Sequence, residues 1–169
     1  APYETSYTPT VFGRHDLKAV VVTTDSTKYE RMGGFTAYTP RAPYKGKTAT
    51  LPGTLQAENF DDGAEGFSYH DSDTKNEGTS YRTGTGGVDI VNGNGSYAIG
   101  YTASGEWLEY TVNVTKAGYY TYKAYASSGV TNSSFSLSLR KDDNLTPLTE
   151  TLSVPCVTSN NWDNYRAIN

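Results

Sequence analysis

Alternation of apolar and polar residues in short segments constrains this chain more than any other feature. In 106–114, Leu108, Tyr110, Val112 and Val114 fall on one face, against Trp107, Glu109, Thr111 and Asn113. In 134–139, Phe135, Leu137 and Leu139 alternate with Ser134, Ser136 and Ser138. A period of two is the signature of a strand with one face buried. Turn-forming residues follow each segment, at 116–118, 127–129 and 141–144. Further strands are expected at 54–59, 97–102, 118–127 and 148–154, and no helical period of useful length occurs. Short strands at this spacing predict an all-β chain, a β-sandwich jelly roll of two antiparallel sheets.

The chain divides into three stretches. Residues 1–39 hold two expected strands, 17–24 and 35–39, which read as the terminal strands of an upstream domain. Residues 40–53 carry Pro40, Pro43, Gly46, Pro52 and Gly53 with little apolar content and read as a linker. The sandwich is expected over 54–169. Within it, 61–94 is too long for one hairpin turn, and Phe67, Tyr69, His70, Tyr81 and Arg82 favour an ordered loop. The acidic side chains there (Asp61, Asp62, Glu65, Asp71, Asp73, Glu77 and Asp89) match no EF-hand spacing and are expected to be solvated.

Several function classes are disfavoured. A net charge of −4 with no basic cluster argues against nucleic acid. The apolar run 19–22 is far shorter than the ~20 residues of a membrane helix. The single Cys156 permits neither an internal disulfide nor a Cys-based zinc site. Glu106 and Glu109 would face opposite sides of a strand, so they cannot act as a glycosidase pair without a bulge. His15 and Asp16, adjacent on a strand, would point apart, and no Gly-x-Ser-x-Gly elbow accompanies His15 or His70. The 15 Tyr beside 17 Gly fit strands and tight turns, and also a surface that meets polar ligands.

Gln56 and Glu58 stand two apart in an expected strand, which would place two oxygens side by side. On residue pattern alone this is a polar strand face or half of a cation site. The stretches Gln56–Phe60, Gly66–Asp71, Gly87–Ile90, Gly100-Tyr101, Gly105–Tyr110, Ala117–Tyr120 and Asn161-Trp162 follow one another in an order that resembles family 6 carbohydrate-binding modules. The resemblance covers about residues 51–169.

That resemblance implies a sugar cleft in loops at one end of the sandwich. Tyr101 and Trp162 would stack on opposite faces of one pyranose ring, Trp162 from a loop after the strand near 148–154. His70, with Tyr69 beside it, would supply a polar contact at the rim. Gln56 and Glu58 would hold a structural Ca²⁺. The family's closing strands are missing after Asn169, so the sandwich is expected to be incomplete and to fold only when they are restored. Export, and attachment to a glycoside hydrolase with its catalytic domain upstream, are likewise implied by the family. A hydrolase fragment in which the sandwich is only a spacer stays open; a flat glycan titration would favour it. Ring stacking tolerates many sugars, so the polysaccharide is not chosen.

Overall fold

A computed structural model describes residues 6–11, 13–37, 40–141, 146–156 and 161–169. The chain forms two compact units, Ala1–Arg41 and Ala42–Asn169. Among the described residues there is no α-helix, only strands and two short 3-10 turns. No helix is long and apolar enough to cross a membrane. Among the described residues the strands form six two-stranded ladders, five antiparallel and one parallel.

In the first unit, β1 (Gly13–Val22) pairs antiparallel with β2 (Lys28–Ala37). The Asp25 side chain shapes the connection, accepting from Thr23 Oγ1 and, at 3.0 Å, from the Thr27 amide. These bonds hold the Asp25 carboxyl below its ordinary range, the Thr23 hydroxyl contributing most. Gly33-Gly34, which precede the strand expected at 35–39, lie inside β2 opposite Leu17 and Asp16. Cross-strand pairing overrides the local preference, and a Cβ at Gly34 would come within 2.9 Å of the His15 carbonyl.

In the second unit, β3 (Ala49–Leu51) runs parallel to β8 (Val112–Val114), and β4 (Tyr69–His70) pairs with β7 (Trp107–Leu108). A tight Asn94-Gly95 turn, both residues at positive φ, joins β5 (Ile90–Gly93) to β6 (Ser96–Ile99). β9 (Ala124–Ser128) pairs with β12 (Asn161–Ile168), and β10 (Ser134–Leu137) with β11 (Leu152–Pro155).

Three expectations change. Residues 42–51 are not a linker: Ala42 and Asp62 exchange backbone bonds of 2.8 and 2.9 Å, and β3 joins a ladder. Burial of Arg82 explains this. Its guanidinium lies between the Tyr44 ring (4.6 Å) and the Phe60 ring (3.8 Å) and donates to Asp62 Oδ1 at 2.7 Å. Residues 57–59 form a 3-10 turn where a strand was expected. The stretch 61–94, expected as an ordered loop, contains β4 and all of β5.

The core gathers Phe60, Tyr69, Val88 and Ile90, all buried, with Tyr81, Ile99, Leu108 and Tyr110 packed on them. Burying a side chain the size of Phe60 contributes about 2–3 kcal/mol. Leu108, Tyr110 and Val112 are half-buried as their alternation predicts, whereas Val114 at the strand end is exposed. Asp61 and Asp89 are buried rather than solvated. The Asp61 carboxylate accepts from the Thr111 amide (2.8 Å) and hydroxyl (2.6 Å), fastening the segment after Phe60 to the one before β8.

Candidate functional site

The Gly100-Tyr101 step follows directly from β6. A Cβ at Gly100 would come within 2.8 Å of the Val91 side chain, so only glycine lets the strand end so close to β5. Tyr101 then takes a left-handed backbone, φ +50, and stands 71% exposed. A non-glycine residue in that region is strained by about 1–2 kcal/mol. Glu106 closes the loop. Its Oε2 accepts from the Ala103 amide at 2.7 Å; its Oε1 accepts from the Ser72 amide at 3.1 Å and hydroxyl at 2.6 Å. One carboxylate thus ties the Tyr101 loop to the segment leaving β4. Burial pushes the Glu106 carboxyl up, but the bonds from Ser72 and Ala103 outweigh it and hold it below its ordinary value.

Alternation along β4 separates two of the expected site residues. Tyr69 is 3% exposed and meets Phe60 edge to face at 5.5 Å. It is a core residue, not a rim contact for a ligand, and its burial raises the phenol's pKa. His70 points to the other side, half-exposed, with Nδ1 on Glu65. Across the ladder it faces Trp107, ring centroids 6.4 Å apart. Trp107 is therefore a site neighbour that sequence reading left out. The available signal was its place opposite Leu108 in the alternation.

Trp162 lies within β12, not in a loop, in the irregular stretch between Asn161 and Arg166, the residues that pair with β9 on either side of it. Its indole rests against Gly129, where a Cβ would come within 2.3 Å of Cε2. Its carbonyl accepts from the Ser127 hydroxyl, and the side chain is 63% exposed. Among the described residues, no ring contact or hydrogen bond joins Trp162 to Tyr101 or His70. The structure therefore pairs His70 with Trp107 and, through Glu106, fastens the Tyr101 loop to the segment after His70; Trp162 lies in β12 with its indole on Gly129.

Gln56 and Glu58 do not share a strand. Gln56 is exposed and precedes the 3-10 turn, whereas Glu58 lies within it and is 4% exposed. The two side-by-side strand oxygens expected of this pair are therefore not formed; a calcium ion takes six to eight oxygens, so any site here would need further ligands. Among the described residues, no three His, Cys, Asp or Glu side chains converge on a metal position.

A family model described as carbohydrate binding module (family 6) matches residues 56–169. Neither curated proteins nor solved structures give a match. The family match begins at Gln56 and spans the Tyr101 loop, β4, β7 and β12.

Proposed function

The chain belongs to the family 6 carbohydrate-binding modules, a β-sandwich family, and from that membership we propose that it is a non-catalytic polysaccharide-binding module. It would target a secreted glycoside hydrolase to its substrate, the catalytic domain lying upstream in the same polypeptide. Holding the enzyme on the polymer raises its local concentration there.

What supports this reading most is the Tyr101 loop. A strained, exposed aromatic is fastened by a carboxylate that accepts three hydrogen bonds. Strain of this kind persists where the surroundings over-determine it, and it marks ligand contacts. The flat phenol face suits the apolar C–H face of a pyranose, and the His70–Trp107 pair, tied to this loop through Glu106 and Ser72, would add a polar side chain and a second ring. Trp162 enters as the opposing ring on the strength of the family resemblance. A single-ring site of this kind binds at roughly 10–1000 μM, about −4 to −7 kcal/mol.

A structural calcium ion at Gln56 and Glu58 is a separate proposal, carried by the family resemblance alone. Native affinity gels containing soluble xylan, β-glucan or a galactan test the main reading. The parent chain should be retarded by one class, and Tyr101→Ala should lose most of the retardation while melting as the parent does. Retention by Tyr101→Ala equal to the parent would remove the loop from the site.

A further inference from the structure

The turn that leads into β4 brings a carboxylate back onto the strand it precedes. The Ala64 carbonyl accepts from the Phe67 amide (3.0 Å) and the Ser68 amide (3.1 Å), and the Tyr69 carbonyl accepts from the Gly66 amide (2.7 Å). Glu65 therefore lies beside β4, bridged to Tyr69, and its Oε1 meets His70 Nδ1. Its Oε2 accepts from the Asp71 amide at 3.2 Å. One carboxylate thus holds both the His70 ring and the backbone that follows it.

A carboxylate only accepts, so Nδ1 carries the proton in this bond, and in the neutral ring Nε2 bears the lone pair. Among the described residues no hydrogen bond reaches Nε2, and the side chain is 44% exposed. The ring faces Trp107 across the ladder and lies within electrostatic reach of Glu106, which fastens the Tyr101 loop. The Glu65 side chain is 48% exposed, and an ion pair so exposed contributes little to stability. What the pair does fix is the direction and the tautomer of His70.

We propose that Glu65 is a positioning residue of the binding site: by holding His70 at Nδ1 it presents Nε2 as an acceptor for a hydroxyl of the bound sugar. The ligand class comes from the reading of the Tyr101 loop as the carbohydrate site; the hold on His70 does not. Glu65→Gln tests this with almost no change of shape. The new side chain has one oxygen for two neighbours. The Asp71 amide can only donate, whereas an imidazole can move its proton, so the oxygen stays on Asp71 and the amide nitrogen turns to Nδ1. Nδ1 must then accept, the proton shifts to Nε2, and the acceptor is lost.

Nitrogen-15 spectra of the imidazoles at about pH 9, above the ordinary imidazole range, read the tautomer, with His15→Gln assigning the His70 signals. The parent should be protonated at Nδ1 and Glu65→Gln at Nε2. In native affinity gels with soluble xylan, β-glucan or a galactan, Glu65→Gln and His70→Ala should each weaken retardation about three- to tenfold while melting as the parent does. In the His70→Ala background, Glu65→Gln should change nothing further. The proposal is overturned, and the Tyr101 reading kept, by a parent ring protonated at Nε2, by a proton that Glu65→Gln does not move, by binding of Glu65→Gln equal to the parent, or by a further loss in the His70→Ala background. If Tyr101→Ala binds as the parent does while Glu65→Gln and His70→Ala do not, the role of Glu65 stands and the Tyr101 loop leaves the site. A folded parent retarded by none of the three polymers overturns both.

Discussion

Glu106 and Ser72, 34 residues apart in sequence, meet through one carboxylate oxygen, which accepts both the Ser72 amide and the Ser72 hydroxyl. The other oxygen caps the Ala103 amide in the Tyr101 loop. Glu106→Ala should therefore release the loop without touching the core. The expected result is binding weakened about tenfold or more, with a melting temperature lowered by only a few degrees. Isothermal titration beside a thermal melt separates the two. A variant that binds as the parent does would show that Glu106 does not position Tyr101.

The same carboxylate predicts an acid limit. Its folded pKa lies below the ordinary 4.5, so its stabilisation is present above that value and is lost as pH falls through the lower, folded one. Asp71 and Asp89, which burial raises, contribute with the opposite sign. Comparing the parent with Glu106→Ala isolates the Glu106 part: the stability gap between them should narrow only below about pH 4.5. A gap that closes between pH 6 and 8, to about half, would assign the effect to another group.

Gly129→Ala tests the seat of Trp162. The added Cβ would sit 2.3 Å from Cε2 and 2.4 Å from Nε1, so the indole must move. Gly129 is not in the left-handed region, so steric displacement is the whole effect. Tryptophan emission should shift, and binding should fall about as far as in Trp162→Ala. In the Trp162→Ala background, Gly129→Ala should change nothing further. An additional loss there would mean that Gly129 matters for another reason.

Arg82→Met should be the most damaging change outside the apolar core. It removes bonds to the Phe60 carbonyl and Asp62 and the cation between Tyr44 and Phe60. Loss of these buried charge-assisted bonds should cost about 2–4 kcal/mol, even allowing for a half-exposed Asp62. Denaturant melts should show it, and limited proteolysis should open near Lys45 and Lys47 as residues 42–51 loosen. Resistance equal to the parent would mean that β3 alone holds that stretch.

For calcium, the placing of Gln56 before the 3-10 turn and of Glu58 buried within it predicts that EDTA shifts the melting temperature by less than about 2 °C. A larger fall, reversed by added Ca²⁺, would return the pair to the status of a structural site.

Much of this molecule is legible in short-range pattern. The alternation in 106–114 places Leu108 and Tyr110 toward the core, and Gly100-Tyr101 announces an exposed turn. The order of the family stretches identifies a carbohydrate-binding module. Each of these depends on neighbouring residues and the fixed geometry of a strand, which a sequence carries directly.

Other features depend on partners distant in the chain. Tyr69 is buried and His70 outward only because β7 pairs with β4 in the register Tyr69↔Leu108. Trp162 lies inside β12, which pairs with β9 on either side of it. The Pro- and Gly-rich stretch before Leu51 joins the second unit because Arg82 holds Tyr44 and because β8 offers it an edge. By itself the sequence determined the extended character of segments such as 106–114 and 134–137, the exposed Gly100-Tyr101 turn, and the family that the stretches compose. Where no alternation marks a face, as at Tyr69-His70, the tertiary structure alone decided which side is inside, since burial there is set by the partner strand and not by the residue.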